Sequence, residues 1–171
     1  MFFAVLIASL ALAIGVVIYD LVVRELALSQ ISIQSQYAAF AADTGADCAL
    51  YWDAKYRIVY GGPKPFFPAP WITGWAAPSG ADFTCNQQNV ATQLAIATNI
   101  IQTANDATST FSVSMDPAAS TDAPCATVSV HKYYDTLGGV NIRRTAISAD
   151  GYNTCNTLAP NRLQRSLFVI Y

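Results

Sequence analysis

The residues from Phe2 to Tyr19 read FFAVLIASLALAIGVVIY, without one charged or amide side chain. Eighteen residues of helix rise about 27 Å, close to the hydrocarbon thickness of a bilayer. Such a segment sits in lipid, is cleaved off, or is buried against copies of itself. Apolar residues continue through Leu21, Val22 and Val23 past a single Asp20, so residues 2–23 are the candidate anchor. A secretory signal peptide would carry a positive leading region and a small-residue cleavage site. Neither is present, and no Lys or Arg precedes the run. The expectation is a mature N-terminus already trimmed of a leader.

The helical pattern continues beyond bilayer length. On a 3.6-residue period Val22, Leu26, Ile33, Tyr37 and Phe40 share one face. Leu21, Leu28, Ile31, Ala38 and Ala42 lie nearly opposite. Glu25, Ser29, Ser32, Gln36 and Asp43 form a polar flank between them. Two apolar stripes require two partners: the chain's own domain for one, another subunit for the other. No Pro or Gly interrupts from Val16 to Thr44. A helix from Phe2 to about Trp52 would be about 75 Å long, and periodicity on that scale points to a spanning helix, a coiled coil or an assembly.

Charge argues against several function classes. Only 12% of the 171 residues are charged, and the net charge of −2 gives no electrostatic case for nucleic acid or for acidic membrane surfaces. The four cysteines, Cys48, Cys85, Cys125 and Cys155, include no C-x-x-C pair, which disfavours zinc and thioredoxin-like chemistry. An even count behind a membrane segment fits two disulfides formed outside the cytoplasm; reduced core cysteines are the alternative.

Past the helix the composition shifts. Residues 56–78 hold five prolines among many aromatics. Pro63, Pro65, Pro68 and Pro70 forbid regular helix or central strand, so this is a shaped loop. Residues 90–107 fit a helical face at Leu94, Ala97, Ile101 and Ala104, yet their Thr, Ile and Asn content suits strand and loop equally. The last third reads as antiparallel sheet. Phe111, Val113 and Met115 alternate with serines; Ala126, Val128 and Val130 alternate with Thr127, Ser129 and His131. A Gly138–Gly139 turn precedes a strand over 140–149, and a terminal strand spans 163–171. That hairpin sets Cys125 opposite about Asp150 and near Cys155, which leaves Cys48 with Cys85. Three pairings remain possible from sequence alone. No Asn-x-Ser/Thr sequon occurs, so only hydroxyl-linked sugars are open to the Ser/Thr-rich stretches.

An apolar opening of about twenty residues, a long amphipathic helix and then a cysteine-containing β domain together resemble a type IV pilin. The stretch SQYAAFAADTGADCALYW, Ser35 to Trp52, is similar to the Q-x-A-x-x-A-A-x-x-G segment that follows the anchor in pilin-like and pilus-accessory proteins. The resemblance covers about the first third of the chain and is architectural beyond it. It implies an α+β fold: a pilin-like helix over residues 1–53, packed on a disulfide-stapled antiparallel head over 54–171. It implies a filament core built from Phe2, Phe3, Leu6, Leu10, Ile14, Leu21, Leu26 and Ile33, and a loop whose Phe66, Phe67, Trp71 and Trp75 contact neighbouring subunits. The implied partners are other copies of the chain, the membrane before assembly, and the pilus assembly machinery. Two positions depart from the family. Val5 stands where most members carry a glutamate that is thought to pair with a neighbour's terminal amine, and Val22 stands where many have proline. Val5 shifts the implication toward a minor or accessory subunit. Gly15 is the one residue in the anchor that favours local loosening or close helix approach.

Catalytic signals are nearly absent. His131 is the sole histidine and falls on the polar face of its strand. No G-x-S-x-G, H-E-x-x-H or phosphate-loop motif occurs. Asp43 and Asp47 lie one turn apart, too few carboxylates for a strong calcium site. Arg143, Arg144, Arg162 and Arg165 form a modest basic group near the C-terminus, first a solvated surface and second a contact for a neighbour's acids. The expectation is therefore no enzyme, no cofactor, no metal and no small-molecule substrate; DNA binding is possible but unsupported. The expected function is a filament subunit assembled through its N-terminal helix. The rival is a minor pilin, or a single-pass anchored module that binds an external ligand through the aromatic loop.

Overall fold

The computed structural model describes residues 2–59, 65–78, 83–118, 120–137 and 139–171, with the side chains of 57–59 outside that set. Pro63 and Gly138, used above, also lie outside it. The architecture is α+β. Helix α1 spans Phe2–Val59, longer than expected, and its end precedes the first cluster of breakers in the sequence, Gly61, Gly62 and Pro63. The chain divides into two compact units between Gln34 and Ser35, taken separately below.

The second unit is an antiparallel sheet covered by the C-terminal part of α1. Its strands are β3 (Ile100–Gln102), β4 (Asp106–Ser114), β5 (Cys125–Leu137), β6 (Val140–Tyr152) and β7 (Gln164–Ile170), in that spatial order. Before them come a two-residue hairpin, β1 (Thr84–Cys85) with β2 (Gln88–Asn89), and a short helix α2 (Val90–Leu94). Asn89 caps α2, its Oδ1 accepting from Thr92 N at 3.0 Å. The ambiguous stretch thus resolves into α2, a turn of 3-10 helix at Ala97–Asn99 and β3. Gly139, at φ +82°, supplies the positive φ that the tight β5–β6 turn demands.

Alternation decides which face of the sheet is buried. Ala107, Ser109, Phe111 and Val113 of β4 point under α1. So do Ala126, Val128 and Val130 of β5, and Ile147 and Ala149 of β6. The helix meets them with small residues: Ala38, Ala41, Ala42, Ala46 and Ala49 are all at most 2% exposed. This stripe lets backbone approach backbone. A Cβ placed on Gly151 would lie 2.0 Å from Ala38 O and 2.3 Å from Ala42 N.

Candidate functional site

Unit by unit, the apolar surface divides sharply. In the first, every large apolar side chain of α1 is open: Phe2 and Phe3 are 79% exposed, and Leu6, Leu10, Ile14, Leu21, Leu26 and Ile33 are all exposed as well. The only ion pair there among the described residues is Asp20 with Arg24, one turn apart at 3.0 Å. By length and composition α1 can cross a membrane, and its N-terminal apolar character fits membrane association. In the second unit the alanine stripe is buried, while Tyr37 and Phe40, on the other side of α1, stay exposed. Of the stripe Leu21, Leu28, Ile31, Ala38 and Ala42, only Ala38 and Ala42 are covered by their own domain; Leu21, Leu28 and Ile31 are exposed.

The proline-rich loop departs from expectation. Phe66 and Phe67 are fully buried in their own domain, so neither is available to a neighbouring subunit. Phe66 stacks on Trp52, centroids 5.4 Å apart, and packs against Phe83; Phe67 stacks on Phe111 at 5.8 Å. The hydrophobic gain of closing this aromatic core, about 1.5–3 kcal/mol per phenylalanine, outcompetes presentation to a partner. Trp71 and Trp75 are half-buried. The Trp75 indole N–H donates to Pro65 O at 3.1 Å. Trp71 meets Tyr134 edge-on at 5.5 Å, with the Arg143 guanidinium over its ring. Gln102 of β3 fixes the loop, its Nε2 donating to Ala69 O and Ile72 O, both at 2.9 Å.

Both disulfides join the cysteines that the hairpin register favoured. Cys48 and Cys85 have Cα atoms 6.0 Å apart, Cys125 and Cys155 5.5 Å, within the usual range. Cys125 faces Tyr152 rather than Asp150; a shift of two residues preserves the face, so Cys155 stays within reach. Each bridge contributes about 2–4 kcal/mol, and such bridges persist in compartments outside the cytosol. Peptide mapping without reduction should recover Cys48 with Cys85, Cys125 with Cys155, and no free thiol. Four free thiols in protein taken from cells would contradict the exported location.

The remaining polar candidates do not converge. His131 stacks on Tyr133 at 4.9 Å. Arg144 pairs with Asp135 at 3.6 Å, Arg162 lies over the Tyr152 ring, and Arg165 donates to Ser35 Oγ. Arg144 pairs in register with Tyr133, whereas Arg165 pairs with Gly151. Seven residues of β6, about 23 Å, separate the two, so the arginines make no single basic patch. Among the described residues no group of three or more His, Cys, Asp or Glu could hold a metal ion.

One polar cluster was not legible in the sequence. Asp53 of α1 and Lys132 of β5 form an ion pair with side chains 8% and 5% exposed. The Tyr171 hydroxyl donates to Asp53 Oδ2 at 2.7 Å. Burial first, and then the Asp53 carboxyl group, push the Tyr171 hydroxyl far above the usual tyrosine range. The neutral phenol is thus favoured in the fold, and this contribution is present below the unfolded tyrosine value of about 10 and declines as pH rises above it. Urea midpoints of the wild type should fall more steeply above that pH than those of Tyr171→Phe; equal slopes would remove Tyr171 as the cause.

Taken together, these features define an α+β, disulfide-bonded domain on an apolar helix long enough to cross a membrane. No family model, no curated protein and no solved structure matches the chain.

Proposed function

We propose that this chain is the structural subunit of an extracellular filament of the type IV pilus kind. Residues 2–23 hold it in the membrane before assembly, and the N-terminal helix then polymerises it. The observation that carries this reading is the unbroken exposure of large apolar side chains along α1, from Phe2 to Ile33. Lipid covers such a surface before assembly; sister helices cover it afterwards. The exposed Tyr37 and Phe40, opposite an alanine stripe already satisfied, extend the demand for a partner into the second unit. The filament needs no turnover and no cofactor.

A minor or accessory subunit is the second reading, favoured by Val5, which stands where most type IV pilins carry a glutamate, with no acidic side chain from Phe2 to Tyr19. Electron microscopy of the cell surface, with mass spectrometry of sheared fibres, separates the possibilities. Fibres several nanometres across composed mainly of this chain support the first reading, and trace amounts within fibres of another subunit support the second. A chain found only as a membrane-anchored monomer overturns both.

A further inference from the structure

The Asp53–Lys132–Tyr171 cluster has a chemistry of its own, independent of any filament. Asp53 and Lys132 are 79 residues apart in sequence, yet Lys132 Nζ donates to Asp53 Oδ1. Across the sheet, Lys132 is flanked by Ala107 and Thr145, both buried. The two carboxyl oxygens have different partners: the lysine nitrogen on Oδ1 and the Tyr171 hydroxyl on Oδ2. Tyr171 is itself fixed, its backbone N–H and C=O exchanging 3.0 Å hydrogen bonds with Thr145.

A lysine amine held against a carboxyl group in an enclosed site is the reactant pair of an amide condensation. Water opposes that reaction by hydrating both ions. Here the ions are stripped of water at a cost, the amide product carries no charge, and contact replaces diffusion. We propose that Lys132 and Asp53 join in an intramolecular isopeptide bond, with Tyr171 holding the oxygen of the tetrahedral intermediate.

The ammonium gives one proton to Oδ1, which it already touches. The freed nitrogen lone pair attacks Cγ, and the carbonyl electrons move onto Oδ2, where the Tyr171 hydroxyl stabilises them. A second proton passes from nitrogen to Oδ1. The C–O double bond to Oδ2 re-forms, and Oδ1 leaves as water. One N–C bond forms, one C–O bond breaks, one water is released, and no oxidant or co-reactant is consumed. A tyrosine hydroxyl is protonated at neutral pH, and Tyr171 already donates to Asp53 Oδ2, so it remains a donor throughout. The product ties α1 to the five-stranded sheet, five residues beyond Cys48, whose disulfide ties the helix to the β1–β2 hairpin, and reductants do not open it.

The full chain, purified with its disulfides formed and then denatured, should weigh one water less than its sequence and two disulfides require. After reduction and trypsin, a branched peptide should join the Asp53 and Lys132 segments, with no cleavage at Lys132. Succinimide formation at Asp150–Gly151 also loses water, but it yields no branched peptide. Lys132→Arg should restore the full mass; a deficit that persists in it places the loss elsewhere and overturns the bond. Wild-type protein of full mass, with Lys132 cleaved normally, overturns it without any variant. Tyr171→Phe should leave a measurable uncrosslinked fraction, and complete conversion at the wild-type rate would remove Tyr171 from the mechanism.

Discussion

Gly151→Val is expected to prevent the unit from Ser35 onward from folding. At this position α1 and β6 touch through their main chains, and even a methyl group would sit 2.0 Å from Ala38 O and 2.3 Å from Ala42 N. Overpacking in a core usually costs about 1–3 kcal/mol, because a neighbouring side chain gives way. Neither of these atoms belongs to a side chain. To make room the helix must lift off the sheet, exposing the alanine stripe together with Val128 and Ile147. The expected loss is more than about 4 kcal/mol, a large part of what a domain of this size has. Circular dichroism should show no cooperative thermal transition, and the two disulfides should become open to mild reductants. Two comparisons calibrate the result. Gly45→Ala meets side chains, Val128 Cγ2 at 2.8 Å and Ala126 Cβ at 2.9 Å, and should be destabilising but folded. Gly15→Ala meets nothing within 4 Å and should leave the domain unaffected. If Gly151→Val melted within a few degrees of the wild type, the close contact between helix and sheet would be wrong.

Leu26→Asp is expected to abolish filaments while leaving the β domain folded. Leu26 is 61% exposed in the single chain, so its own fold does not depend on it. In a filament seam each subunit would bury an unpaired carboxylate, at about 3 kcal/mol or more. Each 1.4 kcal/mol is about tenfold in an association constant, so the concentration needed for assembly would rise about 100-fold or more. Sedimentation of sheared surface material should find no polymer, while disulfide mapping and circular dichroism remain those of the wild type. Leu26→Met, apolar and of similar volume, should assemble normally. Assembly of the aspartate variant at wild-type concentration would remove Leu26 from any buried seam.

Both predictions draw on features with different visibility in the chain. The helix from Phe2 and the strands around Val113, Val128 and Ile147 follow from local periodicity, which a linear reading captures. The Cys125–Cys155 pairing was favoured because a hairpin converts sequence distance into spatial distance by simple counting. The β1–β2 hairpin has no such local signature. Its turn residues, Asn86 at φ +46° and Gln87 at φ +65°, include no glycine to mark it. Asn86 Nδ2 and Gln88 Nε2 donate to Ser114 O across the domain, a stabilisation no local signal announces. Phe66 and Phe67 lie in the core rather than on the surface for a related reason. Composition marks a segment as aromatic but does not say which rings point inward, and that depends on Trp52, Phe83 and Phe111 arriving from three other parts of the chain.

The amino-acid order alone determined the apolar helix, the two stripes that follow it, the meander of strands and an even set of cysteines, since each is encoded by neighbours within a few residues. Only the tertiary structure decided that the alanine stripe faces the sheet, that Gly151 must lack a side chain, and that Asp53 meets Lys132 and Tyr171. Those outcomes join residues 79 and 118 positions apart, and packing geometry over such separations has no local signature to read.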